Sequence, residues 1–179
     1  MRWDALAANA DRVRLARALV EVTAQCGWSK RALRQASQNV AGEPEFWRRV
    51  FPSGSRDAIW FISEVSDASM RAAFDTVPAE GMSDVIAERF AQNADLKPFV
   101  RRVMFYDLLH PVQALARMQR TARVMIQCVE PERQRAMGAA VTALNLGYTF
   151  IVFVWLLDSS QTQAMTGRAT LRVMRLLGL

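Results

Sequence analysis

Histidine, cysteine, lysine, glycine and proline are all scarce in this chain, and each shortage removes a class of protein. There is one histidine, His110, in 179 residues, so no Glu-x-x-His pair or imidazole-based metal cluster can form. It stands against Pro111 at an expected helix end, where a capping or solvent-facing role suits it better than general-base work. The two cysteines, Cys26 and Cys128, are far apart and belong to no CxxC. They read as small buried hydrophobes in a reducing compartment rather than a disulfide or a metal site. With eight glycines and six prolines there is no glycine-rich phosphate loop and no GxSxG elbow. No segment alternates apolar and polar residues for long enough to make a strand. The first twenty residues contain acids and no apolar signal core, so an intracellular, cytoplasmic protein of bacterial type is expected, with a peripheral place at the inner membrane as the second option. Nothing in this inventory points to catalysis, a cofactor or a metal.

What remains is apolar, helix-forming and basic. About half of the residues are hydrophobic, which excludes disorder, and Ala, Leu, Arg, Met and Gln are strong helix formers. The fold class is therefore all-α. Net charge is +6, almost entirely arginine, since Lys30 and Lys97 are the only lysines. Residues 1–60 carry ten cations against six acids, residues 61–129 eight against eight, and residues 130–179 five against three. Such a balance suits nucleic acid or an anionic membrane surface. The longest uncharged run, Ala136 to Leu157, is of membrane-spanning length. Its first half is diluted by Gly138, Thr142, Asn145 and Gly147, however, and it stops at Asp158-Ser159-Ser160. The expectation is a central helix enclosed on nearly all sides by the rest of the chain.

Taken in order, the pattern predicts nine helices in one compact bundle. A first helix runs from Asp4 to Gln25 with Val13, Ala16, Leu19, Val20 and Ala24 inward, stopped by Gly27. Ser29 caps a second, Lys30 to Val40. After Gly42 a short third begins at Pro44 and carries Phe46, Trp47 and Val50. The turn Phe51 to Ser55 leads into a long fourth, Arg56 to Val77. This spacing is that of a helix-turn-helix unit, so residues 1–77 form one part and 78–179 a helical ligand-binding and dimerisation part. Ser83 caps a fifth helix, Asp95 a sixth ending at His110-Pro111, and a seventh runs from Pro111 to Cys128. The uncharged run is the eighth. Ser160 to Gln163, an S-x-x-Q capping box, opens the ninth.

Eight of the nine methionines lie in the last two-thirds, accompanied by aromatics, and soft side chains around an apolar helix are what a pocket for a long flexible ligand needs. Candidate lining residues are Trp60, Phe61, Phe74, Met104, Phe105, Leu108, Met118, Met125, Tyr148 and Val152; ordinary core packing would use the same residue types. On the last helix Arg168, Arg172 and Arg175 form one stripe, opposite Thr166, Thr170, Met174 and Leu177. That stripe is either a lipid- or partner-facing surface or a solvated face whose cations suit a helix C-terminus. Near the turn, Lys30, Arg31, Arg48 and Arg49 would supply phosphate contacts to a duplex. Glu43 and Glu45 at the start of the third helix would repel one.

Gly27-Trp28-Ser29, Ala32-Leu33-Arg34-Gln35-Ala36 and Val50-Phe51-Pro52 with Gly54 and Asp57 resemble the ubiquinone-biosynthesis accessory family, Coq nine. Arg120-Thr121, Trp155-Leu156-Leu157-Asp158 and Val173-Met174-Arg175 continue the resemblance in order. It implies a TetR-like homodimer that holds a lipid or isoprenoid quinone precursor in an apolar pocket. A ubiquinone-pathway hydroxylase and a peripheral membrane contact are the implied partners. Ile126-Gln127 stand where the family carries Trp-Tyr, and the family's further amphipathic helix has no counterpart in this sequence. The competing reading is a TetR-type regulator that binds DNA and keeps an apolar effector pocket.

Overall fold

The computed structural model describes residues 3, 9–130, 137–160 and 162–178. Among them are nine α-helices and no strand. They are α1 (Ala10–Cys26), α2 (Lys30–Ala41), α3 (Trp47–Val50), α4 (Ser55–Ala73), α5 (Met82–Gln92), α6 (Lys97–Leu109), α7 (Pro111–Val129), α8 (Met137–Leu157) and α9 (Ala164–Leu177). The all-α expectation is met.

The helix ends follow local chemistry. Asn9 accepts from the Arg12 amide at 3.1 Å to start α1, and Ser29 accepts from Ala32 at 3.2 Å to start α2, as expected. Gly42, in the left-handed region, closes α2 by donating to Gln38. Residues 4–8, the expected first turn of α1, lie outside the described residues. The expected start of α3 at Pro44 is replaced by a hydrogen-bonded turn, Phe46 to Glu43 and Arg48 to Glu45, so α3 is a single turn. Pro52 draws Phe51 out of helical geometry and ends it. Helix α4 stops at Ala73 rather than Val77, its end tightening as the Phe74 amide donates to the Arg71 carbonyl at 2.9 Å. Gly81, not Ser83, stands at the head of α5, its amide donating to Asp84 at 3.1 Å. A 3-10 turn, Ala94–Leu96, precedes α6.

The chain forms two compact units, Met1–Ser69 with Ala94–Ala114, and Met70–Asn93 with Leu115–Leu179. This division differs from a boundary at residue 77. It passes through α4 and α7, and α6 belongs with α1–α3. In the first unit α1 packs against α2, α3 and α6. Its buried stripe is Leu15, Ala16, Leu19, Val22 and Thr23, so the expected Ala16 and Leu19 are buried, while Val13 and Val20 are half-buried against the same core and Ala24 is half-buried. Trp28 meets Phe99 and Tyr106 edge-on, with centroids 5.7 and 6.2 Å apart, which ties α6 to the start of α2. The Trp47 ring lies over Gly54, at φ +61°, where a Cβ would sit 3.3 Å from the indole.

In the second unit α9 packs against α8 and α5. A Cβ on Gly147 would fall 2.6 Å from Val173 Cγ1 and 3.0 Å from Leu177 Cδ1, so glycine permits the approach. Helix α8 is not enclosed as expected. Val141, Leu144, Tyr148, Ile151, Trp155 and Leu156 are buried, whereas Leu146, Phe150, Phe153 and Leu157 are exposed. These four recur at i, i+4, i+7 and i+11, so they make one bare stripe. By length and composition Gly138–Leu157 is also able to cross a membrane.

Of the capping box expected at Ser160–Gln163, the serine part is present, its hydroxyl accepting from the Ala164 amide at 3.0 Å, and a second device holds the turn. Gln161 lies outside the described residues, and α9 begins at Ala164. Asp158, only 1% exposed, organises the turn. One carboxylate oxygen accepts from the Ser160 amide (3.0 Å) and hydroxyl (2.6 Å), and the other from the Thr166 amide and hydroxyl (both 2.9 Å). The Ser160 hydroxyl, followed by the Thr166 amide, holds the carboxyl well below the usual aspartate range. A depressed native pKa means that this stability is fully present above the unfolded value near ~4 and is lost as pH falls on through the lower folded value. Asp158→Asn should therefore lower the melting temperature by several degrees at pH 7 and by a smaller but still clear amount near pH 3. Thermal denaturation followed by circular dichroism at the two pH values measures the difference.

Candidate functional site

The ten candidate lining residues divide evenly between the units. In the first, Phe61 is buried beside Phe51 (centroids 5.9 Å) and Trp60 donates from Nε1 to Glu64 at 2.8 Å. Met104 is half-buried, and Phe105 and Leu108 lie on the surface. In the second, Met125 and Tyr148 are buried, and Phe74, Met118 and Val152 are half-buried. The Thr149 hydroxyl reaches Met118 Sδ at 3.8 Å and so links α7 to α8.

The second unit holds a polar feature that composition alone did not signal. The Phe90 ring stacks on Trp155 (4.9 Å, 19°) and on Tyr148 (5.9 Å, 17°), giving a column of three rings. Buried Arg89 donates from Nε to the Tyr148 hydroxyl at 2.9 Å and lies 3.9 Å from Met70 Sδ. One turn before Tyr148 on the same face of α8, buried Asn145 has neither its amide oxygen nor its amide nitrogen hydrogen-bonded. An amide removed from water without a partner carries a penalty of roughly 1–3 kcal/mol. The column is apolar and planar, with an engaged guanidinium at one side and an unsatisfied amide on the neighbouring turn. Such a set suits a ligand that is mostly apolar and carries one polar group. The signal was present in the sequence as register. Arg89 occupies the inward positions of α5 shared by Val85, Ile86 and Phe90, and Asn145 those of α8 shared by Val141, Leu144 and Tyr148.

The four candidate duplex-contacting cations behave differently from one another. Lys30 and Arg31 are exposed. Arg48 Nε lies 2.5 Å from Glu45 Oε2, and Arg34 Nε lies 2.7 Å from the other oxygen of that carboxylate. Arg49 spans both oxygens of Glu43 at 3.2 and 3.0 Å. Arg48, ahead of Arg34, holds the Glu45 carboxyl below its ordinary range. The guanidiniums of Arg48 and Arg49 also lie over the Trp47 and Phe46 rings, at 5.0 and 5.2 Å. The turn thus neutralises the charges a phosphate backbone would need.

Elsewhere, Arg168, Arg172 and Arg175 are exposed along α9, opposite buried Thr166, Thr170 and Met174. His110 caps α6, with Nδ1 2.9 Å from the Tyr106 carbonyl and its ring stacked on Tyr106 at 4.0 Å. Cys128 is buried as expected, but Cys26 is exposed, its thiol donating to the Val22 carbonyl at 3.1 Å. Among the described residues no three His, Cys, Asp or Glu side chains converge as metal ligands. No family model matches the chain, and no curated protein or solved structure matches it significantly.

Removing the two carboxylates should release the cations of the turn. The wild-type chain is expected to give no gel shift with duplex DNA at low salt, whereas Glu43→Gln/Glu45→Gln should bind non-specifically about tenfold or more tightly. Electrophoretic mobility at several salt concentrations measures both.

Proposed function

We propose that this chain is a non-enzymatic accessory protein that binds an apolar lipid or isoprenoid, with the TetR-like arrangement and the role in ubiquinone biosynthesis that its sequence motifs imply. The observation that carries the reading is Asn145, an unsatisfied amide buried on the same face as the Tyr148–Phe90–Trp155 column. A quinone precursor or phospholipid joins a long apolar tail to a polar head. The amide would take the head and the Met- and ring-rich interior the tail. The carboxylate-paired arginines of the α2–α3 turn favour this reading over a DNA-binding regulator, which would rest on Lys30 and Arg31 alone.

The subunit is a homodimer in this reading, joined along the bare stripe of α8. Leu146, Phe150, Phe153 and Leu157 lie on the face opposite Leu144, Tyr148 and Ile151, and Leu176 of α9 is likewise exposed. A two-fold pairing of such stripes would bury each against its own copy.

Two measurements test these statements. Protein purified from a quinone-producing host should release co-purified lipid on solvent extraction, seen by mass spectrometry. Asn145→Leu should release at least about tenfold less and yet melt higher, because it removes an unsatisfied amide worth roughly 1–3 kcal/mol. An empty wild-type protein overturns the lipid reading. For the dimer, light scattering should give twice the subunit mass. Phe150→Glu/Phe153→Glu should shift this to the monomer, since loss of a central aromatic anchor typically weakens an interface by ~2 kcal/mol or more.

A further inference from the structure

Asn145 offers two different kinds of hydrogen bond, and both stand open. The residue is 5% exposed, and neither Nδ2, which donates, nor Oδ1, which accepts, has a partner among the described residues. The polar side chains within four residues of it on α8 are committed elsewhere. The Thr149 hydroxyl donates to the Asn145 backbone carbonyl at 2.6 Å, and the Thr142 hydroxyl to that of Gly138 at 2.9 Å. The Tyr148 hydroxyl accepts from Arg89. Around the amide on the same face of α8, Val141, Leu144 and Ile151 are buried and can bond to nothing.

The chemistry of the amide therefore narrows what can meet it. A group answers both ends only if it brings a donor and an acceptor side by side. A phosphodiester or an ester carbonyl accepts but does not donate, so it satisfies Nδ2 and leaves Oδ1 orphaned. A lone hydroxyl uses one oxygen for both roles and meets only one end at good geometry. A carboxamide carries its N–H and C=O set as those of Asn145 are, so the two pair through two parallel hydrogen bonds. An un-ionised carboxyl has the same pattern. At pH 7, however, only about one in 500 carboxyl groups with a pKa of ~4.3 holds its proton, and the anion donates nothing.

We propose that the enclosed ligand ends in a neutral carboxamide. Its N–H donates to Asn145 Oδ1, its C=O accepts from Nδ2, and its acyl chain lies in the apolar interior of the same unit. This rests on the lipid reading above and narrows that reading's polar head. The pairing leaves no charge to be buried and no polar atom unanswered on either side, which is the condition under which polar groups are stable in an apolar interior.

The test uses the full chain, stripped of bound lipid on a hydrophobic resin, with dodecanamide, methyl dodecanoate and dodecanoate as matched probes. Equilibrium dialysis should show dodecanamide bound about tenfold or more tightly than the ester and the anion, neither of which donates. Asn145→Leu should bring amide and ester to within about twofold of each other. In nuclear magnetic resonance, the side-chain NH2 signal that Asn145→Leu removes should move downfield when dodecanamide is added. Equal binding of amide and ester, tighter binding of the anion, no binding, a preference that survives Asn145→Leu, or an unmoved signal would each overturn the carboxamide head. Any of these from a protein that still binds the ester or yields lipid on extraction leaves the lipid reading standing. A protein that binds none of the three probes and also purifies empty loses both.

Discussion

A helix without a charge on any side asks for more apolar cover than its own chain supplies here. Helix α8 is apolar around its whole circumference, but α9 and the buried side of its unit cover only the stripe running from Val141 to Leu156. Gly147 decides how near α9 can come, and Asp158 decides where the chain turns to begin it. The uncovered stripe then follows from geometry. Two helices meeting closely along one line leave the far side of the more apolar one bare. The dimer proposed above depends on what meets that far side.

Burial also explains the polar groups that matter. Asp158 is tolerated inside because four donors surround its carboxylate. Arg89 is tolerated because the Tyr148 hydroxyl accepts from it. Asn145 has no such partner among the described residues, and it lies within one turn of that tyrosine.

Electrostatics in the first unit is local. Glu43 and Glu45 spend their charge on Arg34, Arg48 and Arg49 and fix the short turn around Trp47. A count over the first sixty residues reads this third as basic, while the structure shows three of its arginines paired at the α2–α3 turn. Helix class, most boundaries and the Ser29 and Gly27 caps were legible, since each rests on contacts a few residues apart. The bare face of α8 was not, because which side of a helix is covered depends on distant partners. The Asp158 turn was missed because an S-x-x-Q pattern stood next to it and offered a sufficient local explanation.

The two units are interleaved along the chain, and this bears on how the protein emerges from a ribosome. The first unit needs Ala94–Ala114 as well as Met1–Ser69, and the second begins at Met70 but closes only with residues after Leu115. A nascent chain that has reached residue 93 therefore holds Trp28 with neither Phe99 nor Tyr106 to meet it, and α5 without α9. The first unit cannot close until Ala114 has been made, and the second only with the helices after it, so each keeps apolar surface uncovered until then. A fragment cut at the end of α4 would inherit the same deficit permanently. The smallest piece able to close the first unit is one that continues through the start of α7.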